Sequence, residues 1–161
     1  MEKDRGSLVI KPHHLLDIFK LYGRGVETFV PDDKYKHDFY GVGNRVIENR
    51  IGTVRFTCGC DDICGPCVCL KEGLCGDTFF YEGIEHGKNS YNEALDRGLM
   101  ERLGLESGRG YEFSDIVDLL CEKLDLELIR FVWQDRSSEE NQSRYEDTRR
   151  GLERLCLGGA F

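Results

Sequence analysis

The sequence predicts a mostly α-helical α+β protein, with helices around a small two-stranded β element and a cysteine-rich metal-binding loop after the second strand. Three observations carry this. Apolar residues recur at helical spacing through most of the chain. Only Ser7–Ile10 and Thr53–Thr57 read as strands, short runs rich in apolar, β-branched or aromatic residues. Six of the eight cysteines fall between Cys58 and Cys75.

The elements follow in order. After the first strand, Pro12 sits where a first-turn helix proline belongs. Leu15, Leu16, Phe19 and Tyr22 then keep helical spacing up to Gly23. Pro31-Asp32-Asp33 is expected to open a second helix, with Tyr35, Phe39, Val46 and Arg50 on one face, weakened by Gly41 and Gly43. Residues 58–76 form the cysteine-rich loop. Ser90-Tyr91-Asn92-Glu93 resembles a capping box for a helix carrying Leu95, Leu99 and Leu103 and closed by Gly104. Ser114 is expected to cap the next, with Ile116, Leu120, Leu124, Leu128 and Phe131 on a stripe. Ser137-Ser138-Glu139-Glu140 can start the last, with Tyr145, Leu152 and Leu155 inward. Residues 1–161 are therefore expected to be one domain, with 137–161 a C-terminal helical appendage. The helical crossover between the strands predicts a parallel, right-handed pair. Their C-terminal ends would lie together, placing His13 and His14 near Cys58.

Net charge is −8, which opposes phosphate backbones and makes nucleic acid an unfavoured partner. The one basic cluster, Arg144, Arg149, Arg150 and Arg154, is interleaved with Glu146, Asp147 and Glu153. No apolar segment of signal-peptide type follows Met1, and no run of ~18 apolar residues is present to span a membrane. A cytoplasmic, reducing location is expected, where clustered cysteines read as metal ligands before disulfides.

Cys58, Cys60, Cys64, Cys67, Cys69 and Cys75 exceed anything core packing requires. Cys60 to Cys67 supplies a C-x3-C-x2-C triplet on a glycine-containing turn, which suits three corners of a [4Fe–4S] cube with a fourth ligand from farther along. Structural zinc is the alternative, although only one clear C-x2-C knuckle exists. A thiol–disulfide or metal-free role is the third. The triplet is also that of radical S-adenosylmethionine enzymes. The ~90 residues after Cys67 are too few for their usual barrel, Pro66 stands where they usually carry an aromatic residue, and no glycine-rich cofactor motif follows. Cys121 and Cys156 lie at helical spacing with leucines and read as small packed residues.

Lys11-Pro12-His13-His14-Leu15-Leu16, Asp61-Asp62-Ile63-Cys64-x-x-Cys67 with Cys75, and Leu95-Asp96 through Leu103-Gly104-Leu105-x-x-Gly108 stand in that order. They resemble the motifs of the domain of unknown function 1284 family of small bacterial and archaeal proteins, over roughly residues 8 to 133. The resemblance implies an iron–sulfur protein of unestablished biochemical function, with Cys64, Cys67 and Cys75 at the family's cysteine positions. Asp17 stands where that family carries a cysteine after H-H-L-L. The C-terminal cysteines that its members often have near a tryptophan are missing around Trp133. Cys60 is the first choice of fourth ligand on spacing. Cys58, Cys69, Asp17, His13 and His14 are alternates.

His13 and His14 fall in the first turn of a helix, where the dipole disfavours imidazolium and leaves a neutral ring to ligate metal or bond a sulfur. His37 and His86 read as surface residues. Asp61 and Asp62 fit a turn-shaping role better than acid–base chemistry. Three uses of the loop remain open. The leading one is electron transfer or redox or oxygen sensing through a cluster, with a protein redox partner. The others are a zinc-stabilised interaction domain and an enzyme using an open cluster iron as Lewis acid.

Overall fold

β1 (Gly6–Ile10) and β2 (Ile51–Phe56) pair in parallel, in register from Ser7 opposite Thr53 to Ile10 opposite Phe56. The computed structural model describes residues 5–133 and 137–157. The protein is α+β, about 50% helix and 17% strand, with its cysteine-rich segment after β2. A third strand that the sequence did not reveal, β7 (Gly110–Glu112), runs antiparallel beside β2 and completes the order β1-β2-β7. Two short hairpins were also unforeseen. They are β3 (Leu70–Lys71) with β4 (Leu74–Cys75), and β5 (Thr78–Tyr81) with β6 (Ile84–Gly87). Each turns through a Glu-Gly pair at positive φ, 52° and 78° at Glu72-Gly73 and 50° and 76° at Glu82-Gly83. Two positive φ values in a row give the mirror-image turn that matches strand twist. Glutamate in place of the usual asparagine or aspartate hides the signal.

Helices cover the sheet. α1 (Pro12–Gly23) follows β1 directly and buries Leu15, Leu16, Ile18 and Phe19. α6 (Ser138–Leu157) lies against it almost backbone to backbone. A Cβ on Gly23 would fall 1.7 Å from the Asp147 carbonyl oxygen, and one on Gly151 would fall 1.9 Å from that of Phe19. The expected appendage is thus packed on the core, with Leu152 and Leu155 buried. Two of its arginines reach α1. Arg150 donates to the Gly23 carbonyl at 3.2 Å and Arg154 to that of Tyr22, which also accepts from the Gly25 N–H, so both arginines bond the carbonyl end of the helix. Arg150 and Arg154 of the basic cluster are therefore engaged by the fold, whereas Arg149 is exposed and pairs with Glu153.

Several boundaries differ from the sequence reading. α2 (Phe39–Ile47) starts well after Pro31 and ends before Arg50. The Asp32 carboxylate instead captures the backbone N–H groups of Lys34 and Tyr35, and Lys36 at φ 56° closes a lone turn. α3 (Lys88–Leu103) begins two residues before Ser90, without a side-chain cap, and ends on left-handed Gly104 as expected. α4 (Phe113–Lys123) likewise lacks a cap from Ser114. The stripe after Ile116 is broken into two helices, because Asp125 caps α5 (Leu126–Val132) by accepting the Leu128 N–H. Ser137 and Glu140 do form the reciprocal capping box at the head of α6. Among the described residues no helix is long and apolar enough to cross a membrane.

Candidate metal centre

The cysteine loop is moored to the end of the parallel strand pair. Thr57 donates to the Ile10 carbonyl, and Asp62 exchanges bonds with Val9 through its backbone N–H and its carboxylate. Ile63 sits in the core, 2% exposed. The Asp61 side chain is fully buried and accepts four bonds. The N–H groups of Ile63 and Cys64 reach one oxygen; the Lys11 N–H and His14 Nδ1 reach the other. Asp61 therefore has the turn-shaping role, while the Asp62 carboxylate ties the turn to β1. Tyr35 and Asn89 fix the far side, accepting from the N–H groups of Val68 and Cys75.

Cys60, Cys64, Cys67 and Cys75 border one small cleft together with Lys11. Cys64, Cys67 and Cys75 also border a larger cavity of about 520 Å³ on the other side, with Cys69, His13, His14 and Asp17. Three thiols are thus common to both spaces, and the candidate fourth donors divide between them, Cys60 bordering the cleft and Cys69 the cavity. The Cys60 thiol donates to the Asp61 carbonyl at 3.6 Å and lies near Cys64, as Cys69 lies near Cys67. Cys58 borders neither space; it packs against the apolar core near Asp96 and Arg97.

Burial pushes the Cys64 thiol up to about 12, with the Asp61 charge adding to it, and burial also raises Cys58, Cys60 and Cys69. Thiols so placed hold their protons until a cation takes them. Lys11, 4% exposed, lies beside Cys64. Burial works against its charge, but Cys64 and Asp61 outweigh this and hold the ammonium above its usual value. The sequence reading missed Lys11 as a site residue, although it directly follows the first strand.

Both histidines belong to buried carboxylate pairs. His13 Nδ1 lies 2.9 Å from the Asp96 oxygens and its backbone N–H donates to the same carboxylate; His14 Nδ1 lies 2.7 Å from Asp61. An ionised carboxylate only accepts, so each Nδ1 carries the proton and each Nε2 is left as a lone-pair donor. The rings are 4.4 Å apart and both border the larger cavity. Burial lowers the His14 pKa, with His13 and Lys11 in support and the Asp61 bond opposing, which keeps the ring neutral. His14, Asp61 and Cys64 bring ligand atoms within 4.8 Å of one another, yet the Asp61 oxygens are saturated by their four bonds. Asp17 is paired with Lys20 at 2.7 Å and borders the cavity away from the cleft. His37, expected at the surface, is half-buried, stacks on Tyr35 and lines the cavity; His86 is exposed. Asp96, completely buried beneath His13, is a second site residue that spacing alone did not single out.

Cys121 and Cys156 are exposed, not packed. The buried faces of their helices are taken by Ile116, Val117 and Leu120 on α4 and by Leu152 and Leu155 on α6, which turns both thiols outward. Comparison with known proteins gives no relative: no family model, no curated protein and no solved structure matches this chain.

Proposed function

We propose that this chain is a cytoplasmic iron–sulfur protein that holds a [4Fe–4S] cluster through Cys64, Cys67, Cys75 and Cys60, with Cys69 the alternate, and serves electron transfer or redox sensing. The observation that carries the reading is the meeting of Cys60, Cys64, Cys67 and Cys75 around one cleft floored by the Lys11 ammonium. The donor chemistry fits: thiolates are the usual ligands of such clusters, and a buried cation offsets their charge. A second feature agrees. From Cys64 to Ala94 no residue is buried, so this segment has no core of its own and needs a staple of the kind that metal supplies. The cluster would bring one-electron chemistry; the chain's part is to gather the thiols and exclude water with Ile63 and Lys11. Leu74, Phe80, Tyr81 and Ile84 stand exposed on the adjoining hairpins, which suits a protein redox partner.

One other use is favoured by a specific observation. The cavity of about 520 Å³ is lined by two imidazoles together with Cys64, Cys67 and Cys75. That space suits a small ligand at an iron lacking a cysteine, the arrangement of a Lewis-acid enzyme.

Anaerobic purification with iron, sulfide and zinc analysis tests the proposal. A brown protein with about four iron and four sulfide per chain is expected. A colourless protein with one tightly held zinc overturns it and leaves a zinc-stabilised interaction domain.

A further inference from the structure

We infer that Cys121 and Cys156 form a reversible disulfide that fastens α6 to α4, a thiol–disulfide exchange site separate from the cysteine loop that takes a small-molecule disulfide as its oxidant. The two residues are 35 positions apart in sequence, from 121 to 156, and come together only through the fold. α4 packs against α6. Leu120 and Leu155, the immediate neighbours of the two cysteines, are both buried, so the interface beneath the thiols is fixed. The thiols themselves are exposed and lie near enough to interact electrostatically. Neighbouring thiols on two packed helices can reach the ~2.05 Å bond of a disulfide by side-chain rotation with a small adjustment of the helices. A packing role, the usual reason for an unpaired cysteine in a helix, does not apply to two exposed ones.

The exchange balances without any other reactant. One of the two cysteines, as thiolate, attacks the disulfide of an oxidant such as oxidised glutathione. A mixed disulfide forms and one glutathione thiol leaves. The second cysteine then displaces the remaining glutathione as a thiol, its own proton passing to solvent. One oxidised glutathione is reduced to two thiols, and the two cysteine thiols become one disulfide. Burial, then Cys156 and the nearby carboxylates of Asp118 and Glu153, push the Cys121 thiol up to about 11. Exchange is therefore slow at neutral pH and quickens as pH rises.

The bond would act on the element that supports the candidate metal centre. α6 holds α1 through the Gly23–Gly151 crossing, and α1 presents His13 and His14 at its first turn.

The test uses the full chain, purified anaerobically, exposed to oxidised glutathione, alkylated and mapped by mass spectrometry. A peptide linking Cys121 to Cys156 is expected, removed by dithiothreitol, with Tm higher by about 5–10 °C in the linked form. Both signals should vanish in C121S and in C156S while metal content stays at the wild-type level. A failure of this site is thereby distinguished from a failure of the metal reading. Recovery of Cys121 and Cys156 as free thiols, as separate glutathione adducts or bonded to loop cysteines overturns the proposal. A linked peptide without a rise in Tm overturns the fastening of α6.

Discussion

At the scale of single residues, two carboxylates decide what the histidines can do. Asp61 and Asp96 are buried acceptors, and each takes one histidine Nδ1 as its partner, so the two rings that line the cavity are held by that nitrogen. His14 is kept neutral by burial, and this has a consequence for stability. A buried histidine whose folded pKa lies below its unfolded value binds its proton more readily when unfolded. Its contribution is complete above the unfolded pKa, near ~6.5, and is lost as pH falls below it. Asp61 shifts the other way: burial opposes its charge, but the His14 bond and the backbone donors outweigh this and hold its pKa below the usual carboxylate range. Its stabilisation is therefore lost only at more acidic pH. Between about pH 7 and about pH 5, the urea midpoint of the metal-free wild type should fall more steeply than that of H14N, whose amide can still donate to Asp61 without titrating. Equal slopes in the two proteins would remove His14 as the titrating group.

At the scale of elements, what was legible in the sequence was whatever rests on local chemistry or apolar periodicity. Pro12 at the head of α1, Gly104 at the end of α3, the Ser137–Glu140 box and the strand pair around the crossover all belong here. The misses arose where one side chain outcompeted a pattern. Asp32 tied off a turn in place of a helix, and Asp125 split a continuous stripe in two. Gly23 looked like a stop signal, and it is also a contact. Its real constraint is the passage of α6, which periodicity within either helix cannot reveal. The cysteines show the same division. Their clustering was plain from spacing, whereas the participation of Lys11 and Asp96 required strands and helices to be brought together. The crossing of α1 and α6 is open to direct measurement. G151A places a methyl 1.9 Å from a backbone oxygen that cannot move aside, so it should cost about 3 kcal/mol and lower Tm by roughly 6–12 °C. G98A meets only the Phe131 ring, a side chain that can shift, and its loss should be clearly smaller. Thermal melts showing the opposite order would mean that the helices can part without cost.

At the scale of the whole molecule, the protein divides by burial. The core is drawn from β1, β2, the helices and Ile63, while the stretch from Cys64 to Ala94 contributes no buried side chain. That stretch holds Cys64, Cys67, Cys69 and Cys75, all four bordering the larger cavity, and the two hairpins. Its mooring points, Asp61, Asp62 and Ile63, lie at its edge and are satisfied by protein partners alone. Metal removal should therefore act locally. This differs from a zinc finger, whose fold is lost with its ion because it has no other core. After chelation the helical circular dichroism should stay near its starting value. Amide hydrogen exchange should lose protection through residues 64–87, while β1, β2 and the buried faces of α1 and α4 keep theirs. Loss of protection across the whole chain would show that the core depends on the metal. Unchanged protection in 64–87 would show instead that the hairpins stand on their hydrogen bonds alone, and the thiols would then have no structural claim on a metal.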